Sequence, residues 1–333
     1  MTDTTGRPNA AIERYGEDAE TAIAAAAAAC SNWNRWGADD PIGAVNHIRP
    51  EDRLRAAGLI RSGTAISLSL PFDNDGPQNG WKRRVNPVHV MTSTGMDTAE
   101  IMGLPHGLSV ADDSVFMPLQ CSTQWDGLGH VFDHGVGYNG RVSNRTVTSE
   151  GDLETGIEHV ADKVAGRGVL LDVGRALFDD GELPDGFAIT PDDLDLTIER
   201  QGASSAVGRG DIVLIRTGQL SRVRRGTGWG SYAGGAAPGL SFTTAEWIFS
   251  RDIAAVASDT WGVEVRPNEF PNSMQPLHQV LLPHVGLLLG EMWDLDALAD
   301  AAAADGVYDF FLSAPPLPFT GAVGSPVNPI AFR

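Results

Sequence analysis

Between Gln120 and His130 the chain reads Gln-Cys-Ser-Thr-Gln-Trp-Asp-Gly-Leu-Gly-His, which crowds amides, a hydroxyl, a carboxylate and an imidazole together. Strand side chains alternate faces, so Gln120, Ser122, Gln124 and Asp126 are expected on one side and Cys121, Thr123 and Trp125 on the other. So polar a face makes a poor core and a reasonable wall for a polar site. His130, beyond Gly127 and Gly129, is placed to fold back over that face from a loop. Asp126 and His130 are then a carboxylate and an imidazole within reach of one another, the pair that proton transfer in catalysis needs. Cys121 suggests a thiol nucleophile with His130 as its base. The alternation puts it on the opposite face, so a small core residue is expected instead.

A second stretch, from His278 through Pro283 to Glu291, reads as a helix turn, a break and a short apolar strand. That order would bring His278 and Glu291 to the same end of a sheet. His130 and His134 are four apart, but Gly129, Gly135 and Gly137 argue against a helix that would pair them. The glycine-rich run 226–239 lacks the Gly-Lys-Ser/Thr of a phosphate loop and is expected to be a mobile flap. Trp81, His89 and His106 are expected in surface or packing roles.

The elements that must hold these residues follow from punctuation and period. An apolar run, Val115 to Leu119, is expected to lead as a strand directly into the polar stretch. Further strands are expected over 63–70, 88–91, 168–173, 211–218, 253–257, 286–289 and 307–312. Helices are expected through the alanine run 24–29, from Pro50, from Thr190-Pro191, from a capping box at Thr243 to Glu246, around 278–282 and from Asp294. Residues 73–80 and 133–151 read as loops. Alternating strands and helices give an α/β fold with a mixed sheet and flanking helices. The expected division is an N-terminal helical extension over 1–62 and one catalytic domain over 63–333.

Composition narrows the partners. Against 24 basic residues stand 43 acidic ones, a formal charge of −19, which repels phosphate backbones and anionic lipid. Nucleic acid and membrane partners are therefore not expected; a small-molecule substrate is. The two cysteines, Cys30 and Cys121, make no disulfide framework, and a cytoplasmic location is expected. The polar N-terminus has no basic patch and apolar segment of the signal-peptide kind, and no window reaches the length of a membrane span.

The stretch 120–130 resembles the motif His-x-Gly-Thr-His-x-Asp-x-Pro-x-His of the cyclase family, which includes bacterial kynurenine formamidase and isatin hydrolase. Thr123, Asp126 and His130 match it, while Gln120 and Gln124 stand where the family has metal-binding histidines. Ser122 and Leu128 replace its Gly and Pro. His278, the apolar segment after it and Glu291 resemble a second family segment, and residues 213–218 and 324–327 resemble others. The likeness runs over roughly 63–330 and implies a swivelling β/β/α fold. It also implies a divalent metal (Mn or Zn) held by Gln120, Gln124, Asp126, His278 and Glu291, with His130 as proton shuttle, and hydrolysis of a C–N bond in an amide, formamide or lactam. A homodimer or homotetramer is implied as well. Amide oxygens in place of imidazoles favour a harder cation such as Mn²⁺ over Zn²⁺, or loss of the metal. A metal-independent cyclase or lyase using His130 and Asp126, and a non-catalytic small-molecule binding protein, remain the alternatives.

Overall fold

Four apolar runs without polar alternation need burial on both faces, and they form the parallel centre of a nine-stranded sheet. The protein is seen here as a computed structural model that describes residues 6–97 and 99–333. In chain order the strands of the large sheet are β1 (Ala65–Ser67), β2 (Gln124–Asp126), β3 (Ala165–Asp172), β4 (Ile212–Arg216), β5 (Ala255–Ser258), β6 (Leu288–Glu291), β7 (Asp309–Ser313), β8 (Gly324–Pro326) and β9 (Ile330–Phe332). Across the sheet the order is β1-β9-β7-β3-β4-β5-β6-β2-β8. Neighbours from β3 to β6 run parallel, and those beyond on either side pair antiparallel. The fold is thus the mixed α/β sheet with flanking helices that the sequence leads one to expect.

The helices sit where their caps put them. Thr190 caps Pro191–Gln201 in a reciprocal box with Asp193, and Asp18 caps Ala19–Ala29 by accepting from the Thr21 amide. The latter helix buries Ala22, Ile23, Ala26 and Ala27 on one face. Together with Ala11, Ile42, Val45 and Ile48, the first three of these join the same apolar core as the sheet strands. Among the described residues no helix is long and apolar enough to cross a membrane.

Several expectations change. The run at 115–119 does not lead straight into the site. Asp112–Phe116 instead pairs with Val88–Ser93 in a separate two-stranded hairpin, and a turn at 119–123 separates it from β2. Pro118, which has no amide to give a ladder, stands at the break. Glu291 ends strand β6 rather than following it, and helix Asp296–Asp305 begins two residues later than expected. Thr243 precedes helix Thr244–Ser250 but makes no side-chain cap, because its hydroxyl is engaged with Ser241. The 226–239 run is not a free flap. Tyr232 is buried against Leu70, Leu220, Trp261 and Met292, with its hydroxyl on the Asp259 carbonyl at 2.8 Å.

Tight packing fixes the junction of β6 and β2. Trp125 and Trp293 meet edge to face at 4.8 Å, and their indole N–H groups donate to Ala314 and Gln124 carbonyls. Gly290 lies between them. A Cβ there would stand 2.5 Å from Ala257 Cβ, 2.8 Å from Trp293 Nε1 and 2.9 Å from Trp125 Cζ3. Gly290→Ala is therefore expected to destabilise the protein by about 1–3 kcal/mol through overpacking. Urea unfolding should show a lower midpoint at an unchanged slope; an unaltered midpoint would mean the junction can relax around a methyl group.

Candidate active site

The polar centre forms where antiparallel β2 meets the C-terminal end of parallel β6. In register, Glu291 stands opposite Gln124 and Leu289 opposite Asp126. With a period of two, Gln124, Asp126 and Glu291 share one face while Trp125 and Gly290 share the other. The Gln124 amide donates to Glu291 Oε2 at 2.7 Å, an orientation the acceptor-only carboxylate dictates. Thr123 points away, its hydroxyl donating to the Met292 carbonyl at 2.6 Å and accepting the Leu70 amide at 2.8 Å. Cys121 is buried and unpaired, and burial pushes its thiol up to about 11, as suits a core residue rather than a nucleophile.

His278 arrives from the other side, on the short helix Pro276–Val280. Glu264, in the segment after β5, sets its position twice over. Its carboxylate accepts the backbone amides of Leu277 and His278, both at 3.1 Å, and holds His278 Nδ1 at 2.5 Å. The Nε2 atom is thereby turned to Glu291 Oε1 at 3.3 Å. One ligating atom from each of Asp126, His278 and Glu291 falls within 4.8 Å of the others, and all three residues are about 1% exposed. His130 stands over them, with Nε2 at 3.7 Å from Asp126 Oδ1 and 3.4 Å from the Arg84 guanidinium. The convergence expected from sequence is thus present for these four residues. Gln124 joins them. Gln120 does not bond to them, and its amide lies over Gly324 on the neighbouring strand.

Proximity sets the charges. Burial pushes Asp126 up and the Glu291 charge adds to this, against His130 and Arg84. Burial acts the same way on Glu291, but the hydrogen bond and charge of His278, with Arg84, outweigh it and hold Glu291 below the usual range. Burial alone would lower His278; its hydrogen bonds to Glu264 and Glu291 win and raise it to about 10. Two neighbouring carboxyls thus differ: Glu291 keeps its charge and Asp126 is driven towards the neutral acid.

The residues fit a divalent cation. Asp126 Oδ1 and Gln124 Oε1 are buried oxygens with no partner among the described residues, and buried polar atoms normally have one. A carboxylate holding the far nitrogen of an imidazole, as Glu264 holds His278, is the usual support for a ligating histidine. Two carboxylates, an amide oxygen and one imidazole make an oxygen-rich set that suits Mn²⁺ better than Zn²⁺. Gln275 Nε2 lies 3.3 Å from His278 Nε2, and its Oε1 accepts from Lys82 Nζ at 2.7 Å; sequence reasoning missed both Gln275 and Lys82, with Glu264 and Arg84. The run Trp-Lys-Arg-Arg at 81–84, basic in an acidic chain, was a signal for two of them. Glu264, a lone acid between Val263 and Val265, offered little.

The fold has counterparts among known proteins. The family model described as "Putative cyclase" matches residues 66–265. A crystal structure of a novel cyclase is 39% identical, with 92% of this chain and 99% of that one covered and a TM-score of 0.83. Isatin hydrolase A from Ralstonia solanacearum shares the fold at 18% identity, with 83% and 93% covered and a TM-score of 0.58. A potential metal-dependent hydrolase with cyclase activity does so at 16% identity, with 81% and 98% covered and a TM-score of 0.50. No curated protein matches the chain.

The raised His278 makes cation binding proton-linked. Below about 10 its Nε2 carries a proton that an incoming ion must displace. Calorimetric titration with Mn²⁺ is expected to show affinity rising roughly tenfold per pH unit between about pH 7 and 9, with about one proton released per ion. Affinity independent of pH would show that His278 is not the displaced group. Without a cation the same proton stabilises the fold fully below about 6.5, and that stability fades as the pH passes through about 10.

Proposed function

Because the chain belongs to the cyclase family, we propose that it is a hydrolase opening a C–N bond of a small amide, formamide or lactam. The observation that carries this reading is the meeting of Asp126, His278 and Glu291, drawn from three distant segments, beneath His130. A divalent ion held by Asp126, His278 and Glu291, with Gln124 Oε1 beside them, would polarise a carbonyl and lower the pKa of water. Mn²⁺ is the ion the donor set favours.

The chain's own residues handle the protons. The Arg84 guanidinium beside Nε2 of His130 favours the tautomer with its lone pair on that nitrogen. His130 is thus poised to take a proton from attacking water and deliver it to the departing nitrogen. Its side chain is about one-fifth exposed, at the mouth above the buried acids. In the metal-independent alternative, Asp126, driven towards the neutral form, holds a proton next to His130 while Glu291 keeps the charge. Glu264 keeps His278 from turning away. The isatin hydrolase and metal-dependent hydrolase of the same fold support hydrolysis of this kind. One observation favours the rival metal-independent acid–base reading: the Gln124 amide already occupies Glu291 Oε2.

Dialysis against a chelator, followed by Mn²⁺, is expected to abolish and then restore turnover of a panel of formamides, lactams and lactones. Turnover that survives chelation would favour the metal-independent reading. His130→Ala is expected to lower kcat about 10²- to 10⁴-fold without changing the melting temperature; full activity in that variant would remove His130 from the mechanism.

The protein is proposed to work in the cytoplasm, where its two unpaired cysteines stay reduced, and as a homo-oligomer. The hairpin of Val88–Ser93 and Asp112–Phe116 supports the second point. Val88, Val90, Met91, Val115 and Phe116 on its two faces are 49% to 73% exposed, and a bare two-stranded hairpin is marginal in water. A second copy offering the same hairpin would cover it symmetrically. Light scattering is expected to give a dimer or tetramer that Val90→Lys with Phe116→Lys splits into monomers; a monomeric native protein would refute this.

A further inference from the structure

Arg84 is buried but left without the partners a buried guanidinium needs. It is 7% exposed, and its Nη1 has no hydrogen-bond partner. The nearest acid, Glu291 Oε2, is 3.9 Å away and already receives the Gln124 amide. The one side-chain hydrogen bond found for Arg84 among the described residues is the 3.4 Å contact with His130. Arg216 shows how this chain treats an arginine that serves only the fold. At 4% exposure, Arg216 donates to Asp172 at 2.9 Å, Asp296 at 3.0 Å, Ser221 at 2.8 Å and the Gly181 carbonyl at 3.2 Å. Leaving a charged donor buried and unpaired is costly, and the cost is explicable where a ligand completes the pairing.

The surroundings hold Arg84 in a presenting posture. Trp261 lies beneath the guanidinium at 5.0 Å and fixes its plane. The preceding Lys82 and Arg83 have left-handed backbones, φ 52° and 60°, an uncommon conformation for side chains of their size. That double turn directs Arg84 inwards. Lys82 Nζ, 2.7 Å from Gln275 Oε1 and 5.0 Å from the Trp81 ring, adds a second positive charge on the same side. In a chain of net charge −19 this is a local positive field beside a site of carboxylates.

We propose that Arg84 is an anchor for a carboxylate carried by the substrate, so that the enzyme acts on anionic amides or lactams in preference to neutral ones. This rests on the hydrolase reading above and names its substrate class. A planar fork of N–H donors matches a carboxylate in two parallel hydrogen bonds, which an ammonium does not reproduce. The pairing would hold the substrate beside His130 without engaging the reacting carbonyl.

Binding, rather than turnover, tests this independently of the reaction. Benzoate with benzamide, and acetate with acetamide, are pairs of nearly equal shape that differ in charge. Trp261, stacked on Arg84, supplies a fluorescence signal alongside calorimetry. The protein as purified is expected to bind at least one anion about tenfold more tightly than its amide. Arg84→Gln should bring that ratio near unity with benzamide affinity unchanged, and Arg84→Lys should fall between. Loss of the ratio in Arg84→Gln with retained folding, or the intermediate ratio in Arg84→Lys should the first variant not fold, supports the anchor. No preference in the native protein, or a preference that survives in both variants, overturns it. A failed turnover panel with an intact, Arg84-dependent anion preference would leave the anchor standing and reject only the hydrolysis.

Discussion

A single buried carboxylate, Glu264, decides whether this protein has an active site. Its two oxygens take the Leu277 and His278 amides at the start of a short helix and, with the same grip, the far nitrogen of the His278 ring. The imidazole can then present only Nε2 to the centre. Neither Pro276 nor Gln275 does this, since one has no side-chain acceptor and the other makes no side-chain cap to the helix. A helix of five residues would not form unaided in water, so the acid that orients the histidine also holds the element that carries it.

The sheet provides the opposite wall by a different device. Parallel β6 ends in Glu291, and antiparallel β2 lays Gln124 and Asp126 beside it in register. The centre of the sheet is apolar on both faces, so a polar cluster belongs at such a boundary, where the strand direction changes. Trp125 and Trp293 fill the far face and prevent β2 from slipping. A slip of one residue would exchange Asp126 for Trp125 in the site. The rigidity of one face is therefore what permits charge on the other.

Much of this was legible in the chain. Period-two alternation separated Gln124 and Asp126 from Trp125, and apolar runs located the central strands. The order of short motifs placed His278 and Glu291 with Asp126. What escaped has a physical reason in each case. Glu264 and Arg84 act through contacts across 14 and 46 residues of sequence, with His278 and His130 respectively, and no local pattern encodes such pairings. The hairpin before the site was hidden because Val115 to Leu119 looks like any apolar strand, and only Pro118 hinted at the break. Gln120 fell out because the turn at 119–123 ends the alternation that would have put it on the site face.

The donor set then has a coherent meaning. Gln124 keeps an oxygen free beside Asp126 while bracing Glu291. Such a centre is poorer in nitrogen and richer in oxygen, and harder cations match it. The most direct measurement is an anomalous difference map from crystals grown with Mn²⁺. A single strong peak between the carboxylates of Asp126 and Glu291 and Nε2 of His278 is what this account predicts. A map with no peak there, in crystals where Mn²⁺ occupies some other place, would contradict it.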